Sequence, residues 1–325
     1  MGKNVPRRHH YVPRFLLSKF TNDEGKLWTY DTEHQRSWSG IPVSTGFERD
    51  LYATNAKTDE QDFETVEKFL AAMIDGPGAE AIAGLLNQEC LDPRRWVNFI
   101  GLVAAQWQRT PASFDRLTTI MAPTMQEMLE RMPKFSPKFR KSVTESLIKA
   151  GATLEDIEEQ FRIIELGGYR VRPHKQLVLI QSLCLIEKLH GELIKMNWCF
   201  LSVPTGASDL ILGDHPVMLS DQGPDDQPSG PLGLRNPNIE LVMPISKRMV
   251  AIANWTGPKS YGEVSADSVD VINDLTLRYA RRFIFAPYES AVLLTRAVKF
   301  RGTGPRVHVR RVRIGKGLAI VKEYR

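Results

Sequence analysis

Two adjacent imidazoles, His9 and His10, stand in the run Arg7-Arg8-His9-His10-Tyr11-Val12-Pro13-Arg14. Imidazole changes charge nearest neutral pH, so a held pair of histidines is a candidate for acid–base work or metal ligation. Phe15, Leu16 and Phe20 follow closely, and burying them would dock a terminus that is ordinarily loose. Gln106 and Arg109 are three residues apart, hence on one face of a helix. An amide and a guanidinium so placed can hold a phosphate or a carboxylate in fixed geometry. Asp214 and His215 follow Leu210-Ile211-Leu212-Gly213, so the acid emerges where a buried strand ends, a place where folds present catalytic groups. Gly213 lets the backbone turn or a ligand approach, and Pro216 biases His215 toward an extended backbone.

Each of these has a structural alternative. One histidine can pack while the other is solvated, Arg109 can cap carbonyls, Gln106 can bridge two helices, and Asp214 can close an Asx-type turn. Asn273 shares the inward side of its segment with Val269, Ile272, Thr276 and Ala280; a buried amide needs partners, and a structural bridge is its first reading, a polar wall of a site its second. A divalent metal held by His9, His10, Asp214 and His215 is one option, although no H-x-x-x-H spacing supports it. Metal-free acid–base work by a histidine, with Arg109 stabilising charge, is the other. The chain lacks G-x-x-x-x-G-K-[ST], G-x-G-x-x-G and G-x-S-x-G, which disfavours a nucleotide-driven motor, a Rossmann dehydrogenase and an ordinary α/β hydrolase.

These residues need elements to position them. Residues 1–55 hold the histidine run and short strands: Lys26 to Asp31 alternates with period two, and Arg36 to Trp38 can pair with it. Residues 56–196 read as helical. The clearest helix runs from Asp92 to Thr110, with Asp92 as N-cap, Pro93 in the first turn and Pro111 as terminator. Trp96, Phe99, Ile100, Val103, Ala104 and Trp107 form its buried face. A second helix spans roughly 173–196 and carries Leu177, Ile180, Leu183, Cys184 and Ile194. Residues 197–325 return to strands at Trp198–Val203, Leu210–Gly213, Ile239–Met243 and Met249–Asn254, interrupted by one helix over Ala266 to Ala280 capped by Ser265. The loop from Asp221 to Pro237 is a candidate lid or a disordered insertion, and Arg306–Arg313 and Leu318–Val321 are closing strands. The sum is an α+β fold in a single composite domain: short strands, a helical bundle, then a mixed sheet with an inserted helix.

Composition, 42% hydrophobic and 25% charged, excludes a disordered or fibrous chain. The net charge of +5 is uneven: residues 296–325 carry ten Lys and Arg against the single acid Glu323. Such a basic end suits a phosphate-bearing or nucleic-acid partner, with Arg306, Arg310, Arg311 and Arg313 as its contacts, or is a solvated strand pair. Cys90, Cys184 and Cys199 are odd in number and unclustered, and read as buried thiols of a reducing compartment. The opening residues lack a signal-peptide pattern, and Leu177 to Leu189 is too short to span a bilayer. A cytoplasmic location and no membrane partner are expected; oligomeric state is left open.

Several separated pieces resemble one family, domain of unknown function 4238. They are His10-Tyr11-Val12-Pro13 with Phe15 to Phe20, Leu27-Trp28-Thr29-Tyr30-Asp31, Glu48-Arg49-Asp50-Leu51-Tyr52, a helix with Glu60, Glu64 and Glu67, and Gln106-Trp107-Gln108-Arg109-Thr110. Further on come Gly213-Asp214-His215-Pro216, where Gly213 stands in place of the family's serine, then Pro244-Ile245-Ser246 and Asn273 with Ala280-Arg281-Arg282. The resemblance covers nearly the whole chain and implies one shared architecture. It also implies a link to bacterial phage defence and thus a nucleic-acid-directed activity.

The expected function is accordingly a bacterial antiviral effector acting on nucleic acid or a nucleotide, most simply a phosphodiester hydrolase such as a nuclease. His9 or His10 would be acid, base or ligand, Arg109 would grip phosphate, Gln106 would orient it, and Asp214 would be a metal ligand or the histidine's partner. His215 and Asn273 would contact substrate. The alternative is a non-catalytic ligand-sensing or nucleic-acid-binding module using the same pocket.

Overall fold

The computed structural model describes residues 7–55, 61–166, 169–221, 232–305, 307–314 and 317–324. The chain opens with β1 (Arg8–His10), α1 (Arg14–Leu17) and a 3₁₀ turn at Ser18–Phe20, then β2 (Leu27–Asp31) and β3 (Arg36–Gly40). A second 3₁₀ turn at Pro42–Ser44 leads into β4 (Phe47–Arg49), followed by the short β5 (Thr54–Asn55) and β6 (Gln61–Asp62). The helices are α2 (Thr65–Leu70), continued by a π-helical turn at Ala71–Asp75 into α3 (Gly76–Leu86), α4 (Pro93–Gln108), α5 (Pro111–Phe135), α6 (Pro137–Lys149), α7 (Leu154–Leu166) and α8 (Lys175–Leu193). The remainder is β7 (Asn197–Ser202), β8 (Leu212–Gly213), β9 (Met218–Asp221), β10 (Ile239–Ser246), β11 (Met249–Asn254), β12 (Ser260–Glu263), α9 (Ala266–Tyr279), β13 (Phe283–Ala286), α10 (Ala291–Phe300), β14 (Val307–Ile314) and β15 (Gly317–Tyr324). The fold is α+β, as the pattern of short strands, helices and a later mixed sheet requires.

Two compact units divide the chain, one of Met1–Phe114 with Leu179–Pro305 and the other of Asp115–Val178 with Arg306–Arg325. Every sequence candidate except the basic tail falls in the first. That unit holds a five-stranded sheet in the order β12-β7-β11-β10-β9 and a four-stranded sheet in the order β3-β2-β13-β8. The second sheet is built from both ends of the sequence, because β13 pairs antiparallel with β2, Phe283 against Asp31 and Ala286 against Trp28. In the second unit Arg140 sits over the Phe161 ring at 4.4 Å and pairs with Glu158 at 2.7 Å, joining α6 to α7.

The α4 helix forms as its sequence demands. Asp92 caps it by accepting from the Arg95 amide at 2.9 Å, and Pro93 occupies the first turn, where its missing N–H costs nothing. Its aromatic face packs edge-on against β7, with Phe99 and Trp198 centroids 5.1 Å apart. Its last two turns are buried all round, polar residues included. Gly78 of α3 sits where a Cβ would come within 2.9 Å of Leu102, so α3 and the π turn approach the buried end of α4 closely.

Tertiary context decides the packing of α8 and of the cysteines, and for the cysteines it corrects the expectation of buried thiols. On α8, Leu177, Ile180 and Ile194 are exposed, Ile180 to 56%, and so is Cys184; the buried residues are Val178, Leu179, Ser182 and Leu193. That helix is apolar on almost every side, so periodicity picks no face. The Ser182 hydroxyl, donating to the Gln108 carbonyl at 2.7 Å, makes the choice. Of the three cysteines only Cys199 is buried, on β7; Cys90 and Cys184 are exposed. Of the candidate lid, residues 222–231 lie outside the described residues.

Candidate functional site

The histidine run forms β1, which pairs with β4 so that His9 lies opposite Glu48 and His10 opposite Phe47. Leu16 and Phe20 are fully buried behind it. Gly46, at φ +67°, turns the chain so that its carbonyl accepts from both the Tyr11 and Val12 amides, at 3.0 and 3.2 Å. His9 is fixed by Tyr52: the Tyr52 amide donates to His9 Nδ1 at 2.8 Å, and the two rings stack 5.5 Å apart. With Nδ1 accepting, His9 carries its proton on Nε2. The Tyr52 hydroxyl reaches on to the Arg109 carbonyl at 3.1 Å, tying β1 to the end of α4.

Arg109 is 1% exposed and fully engaged by the protein. Its Nε donates to the Tyr11 carbonyl at 3.2 Å, and the Gln106 amide, oriented with its oxygen inward, accepts from Nε at 2.6 Å and from Nη2. Nη1 lies 2.8 Å from Asp75 Oδ1, an ion pair whose angle is too poor for a hydrogen bond. Gln106 and Arg109 therefore share one face, as their spacing requires, but Arg109 braces three segments instead of standing free.

Asp75 and Glu67 complete this cluster, and the π turn explains how. Eight residues of unbroken α-helix would rotate Asp75 about 80° away from Glu67. A turn closing on the fifth residue takes up much of that angle, and such turns are common at functional sites. Glu67 Oε1 accepts from the His10 amide at 3.3 Å, while Oε2 is buried with no partner. Burial first, and Asp75 among its neighbours, push the Glu67 carboxyl up; the His10 amide and the Arg109 and Arg14 charges oppose this. Spacing from the histidine run gives no hint of Asp75; Gly76-Pro77-Gly78 directly after it is the local sign of an interrupted helix.

His10 is 6% exposed, and neither ring nitrogen has a hydrogen bond of acceptable geometry. The Val43 carbonyl lies beside the ring and Phe47 packs against it at 5.5 Å. Burial, then the positive charge of Arg14, lowers His10 to about 4, with Arg109 and Arg8 adding to the effect, so the ring is neutral at pH 7. Arg8 and Arg14 are exposed on either side of it. Arg8 rests over the Phe47 ring at 5.0 Å, and among the described residues neither guanidinium forms an ion pair with an acid, although the Arg14 charge acts on Glu67.

Asp214 turns to a different task. Its carboxylate accepts from the backbone amides of Arg281, Arg282 and Phe283 at 2.7, 2.8 and 2.9 Å, clamping the turn from α9 into β13. Burial raises it to about 6, against the pull of those amides. The same turn is held from β2, where Arg282 grips Asp31 at 2.9 and 2.7 Å. Burial alone would raise Asp31, but Arg282 and His34 outweigh it and hold the carboxyl well below its usual range. Thr110 Oγ1 and His215 Nδ1 are hydrogen-bonded at 2.7 Å, joining the residue after Arg109 to the residue after Asp214. Asn273 is the structural bridge its first reading gives: Oδ1 accepts from the Ile211 amide at 3.0 Å and Nδ2 donates to the Asp209 carbonyl at 3.1 Å.

The candidates thus fall into two linked groups. His9, His10, Gln106 and Arg109 converge with Tyr52, Glu67 and Asp75, whereas Asp214, Arg281 and Arg282 form a corner clamp beside them. Tyr11 lies between, its backbone on Arg109 and its phenol pushed up by burial and by the Asp214 charge. Among the described residues no three of His, Cys, Asp and Glu are close enough to hold a metal ion, so His9, His10, Asp214 and His215 do not form the metal set. Arg306 lies outside the described residues, as do the side chains of Arg310, Arg311 and Arg313; Glu60 does too.

A family model described as protein of unknown function (DUF4238) matches residues 8–289. The chain belongs to the DUF4238 family. No curated protein and no solved structure gives a significant match. The matched span runs from β1 through α10's approach and so contains both groups of this DUF4238 protein, but not the basic tail. Within that span one helical stretch, Thr65–Leu86, is long and apolar enough to cross a membrane by length and composition; it is the stretch that carries Glu67 and Asp75.

Proposed function

We propose that this DUF4238 protein is a hydrolase that cuts a phosphodiester in a nucleotide or nucleic acid, with His10 as general base and Glu67 as general acid. The observation that carries the reading is His10: its ring is nine-tenths buried with no hydrogen bond of acceptable geometry at either nitrogen, and its backbone amide donates to Glu67, a carboxyl whose Oε2 is also unpaired. Buried polar atoms ordinarily find partners, and a group of them without one marks a place where a ligand or reaction uses them. Burial favours the neutral form of each, an imidazole free to accept a proton and a carboxyl pushed toward keeping one.

In this reaction His10, neutral at pH 7, takes a proton from the attacking water, and Glu67, whose carboxyl burial pushes up, is the group that gives one to the leaving oxygen. Arg8 and Arg14 neutralise the phosphate. A bound phosphate also offsets the positive charges that depress His10, raising its basicity when substrate is present. Arg109 is a positioning residue here: it holds Tyr11, Gln106 and Asp75 in place instead of gripping phosphate. We propose a bacterial, cytoplasmic antiviral role for this activity.

A second reading, a non-catalytic sensor using the same cluster, is favoured by the closure of His10 under the Pro42–Ser44 turn. One experiment separates them. Purified protein is assayed for turnover and for binding on a panel of nucleotides, DNA and RNA. Turnover that falls by at least about 100-fold in His10→Gln and in Glu67→Gln, with unchanged thermal melts, supports the hydrolase. Binding without turnover supports the sensor, and neither activity on any substrate overturns both.

A further inference from the structure

We propose that the site takes a terminal phosphodiester linkage, in a small nucleotide or at the end of a strand, and not a diester within a continuous strand. The inference rests on the hydrolase reading and adds the class of substrate.

Its first ground is access. The reactive ring of His10 is 6% exposed, Gln106 and Arg109 behind it are closed off entirely or nearly so, and the Val43 carbonyl lies beside the imidazole. An internal diester carries chain on both sides, and both flanks must leave a site through openings as wide as a nucleotide. Only Glu67 and Asp75 of the cluster reach partial exposure, Asp75 to 22%. A terminal linkage, with a single nucleoside on one flank and any longer chain on the other, can enter from one side and bring its phosphorus atom to His10.

The second ground is charge. A strand held along a groove needs a row of cations tracking successive phosphates, interleaved with stacking platforms. On this edge Arg7 and Arg49 are both drawn to Asp50, at 2.5 and 3.7 Å. Among the described residues Arg8 and Arg14 flank His10 with no ion pair to an acid, Arg14 acting on Glu67 through its charge only, and the adjoining turn presents exposed, uncharged Ile41 and Val43. Two guanidinia without an ion pair, set around one buried imidazole, match one phosphate, not a series.

The test uses the full chain on four substrates: a closed single-stranded DNA circle, the same sequence linear, the linear form with both ends capped by hairpins, and a dinucleotide. Cleavage of the dinucleotide and the open linear strand, with the circle and the capped strand at least ten-fold slower, is the expected result. Cutting of the dinucleotide alone places the substrate among small nucleotides; cutting of the open strand alone places it at strand ends. The circle cut as fast as the linear strand overturns this inference and leaves the hydrolase standing. No cleavage of any of the four overturns both. Arg14→Ala, a fully exposed change, should raise KM for the preferred substrate at least ten-fold with kcat less affected; an unchanged KM counts against the phosphate contact.

Discussion

Arg109 Nη1 and Asp75 Oδ1 meet at 2.8 Å where the buried end of α4 faces the π turn after α2. The pair holds together segments about thirty residues apart in sequence, and the same guanidinium holds Tyr11 from a third. Removing one member of a buried ion pair strands the other. Arg109→Met should therefore cost about 3–5 kcal/mol in urea denaturation, and Arg109→Met combined with Asp75→Leu should recover part of that loss. A single-variant loss under about 1 kcal/mol would show that the pair holds nothing.

His10→Phe should leave the protein at least as stable at pH 7. It keeps a ring against Phe47 and removes two unpaired nitrogens, each of which costs about 1–3 kcal/mol when buried. The pH profile should also flatten. The folded chain refuses a proton until about pH 4, whereas the unfolded chain accepts one near 6.5. The stability that His10 gives above pH 6.5 is therefore lost as pH falls toward 4. Melting temperatures of both proteins from pH 4.5 to 7.5 check this: a drop toward acid that persists undiminished in the variant would be evidence against it.

Asp214→Asn should destabilise the fold by about 2–3 kcal/mol, because an amide cannot accept from three backbone N–H groups and turns its own donors toward some of them. The pH signature has the opposite sign from His10. Burial raises folded Asp214 from 3.8 to about 6, so the folded chain holds its proton longer, and this component of stability falls as pH rises through that window. The variant should lack it. Equal melting temperatures at pH 7 would return Asp214 to the list of candidate catalytic groups.

Binding of the full chain to duplex DNA should weaken steeply with salt if the basic tail contacts phosphate, by roughly 0.9 log units per contact. Replacing Arg306, Arg310, Arg311 and Arg313 by alanine should lower the slope accordingly, without changing turnover of a dinucleotide. A salt-indifferent curve, or one the four changes leave alone, takes the tail out of nucleic-acid binding.

The sequence by itself determined the local elements and the family. Asp92 and Pro93 start α4, Ser265 starts α9, and alternation over Lys26 to Asp31 makes β2, because caps, prolines and periodicity act within a few residues. The Gln106–Arg109 face follows from helical spacing alone, and the order of separated motifs is what the family model matches. Only the tertiary structure decided what those motifs do. No spacing reveals that β13 pairs with β2 across some 250 residues, that Asp214 spends its oxygens on three amides, or that a π turn brings Asp75 to Arg109. Partners of a buried polar group are chosen by packing between distant segments, and α8 shows the same limit: apolar on nearly all sides, it takes its orientation from what lies beside it. The histidine run announces a proton carrier, and its unpaired ring and the acid on its backbone amide come from the fold.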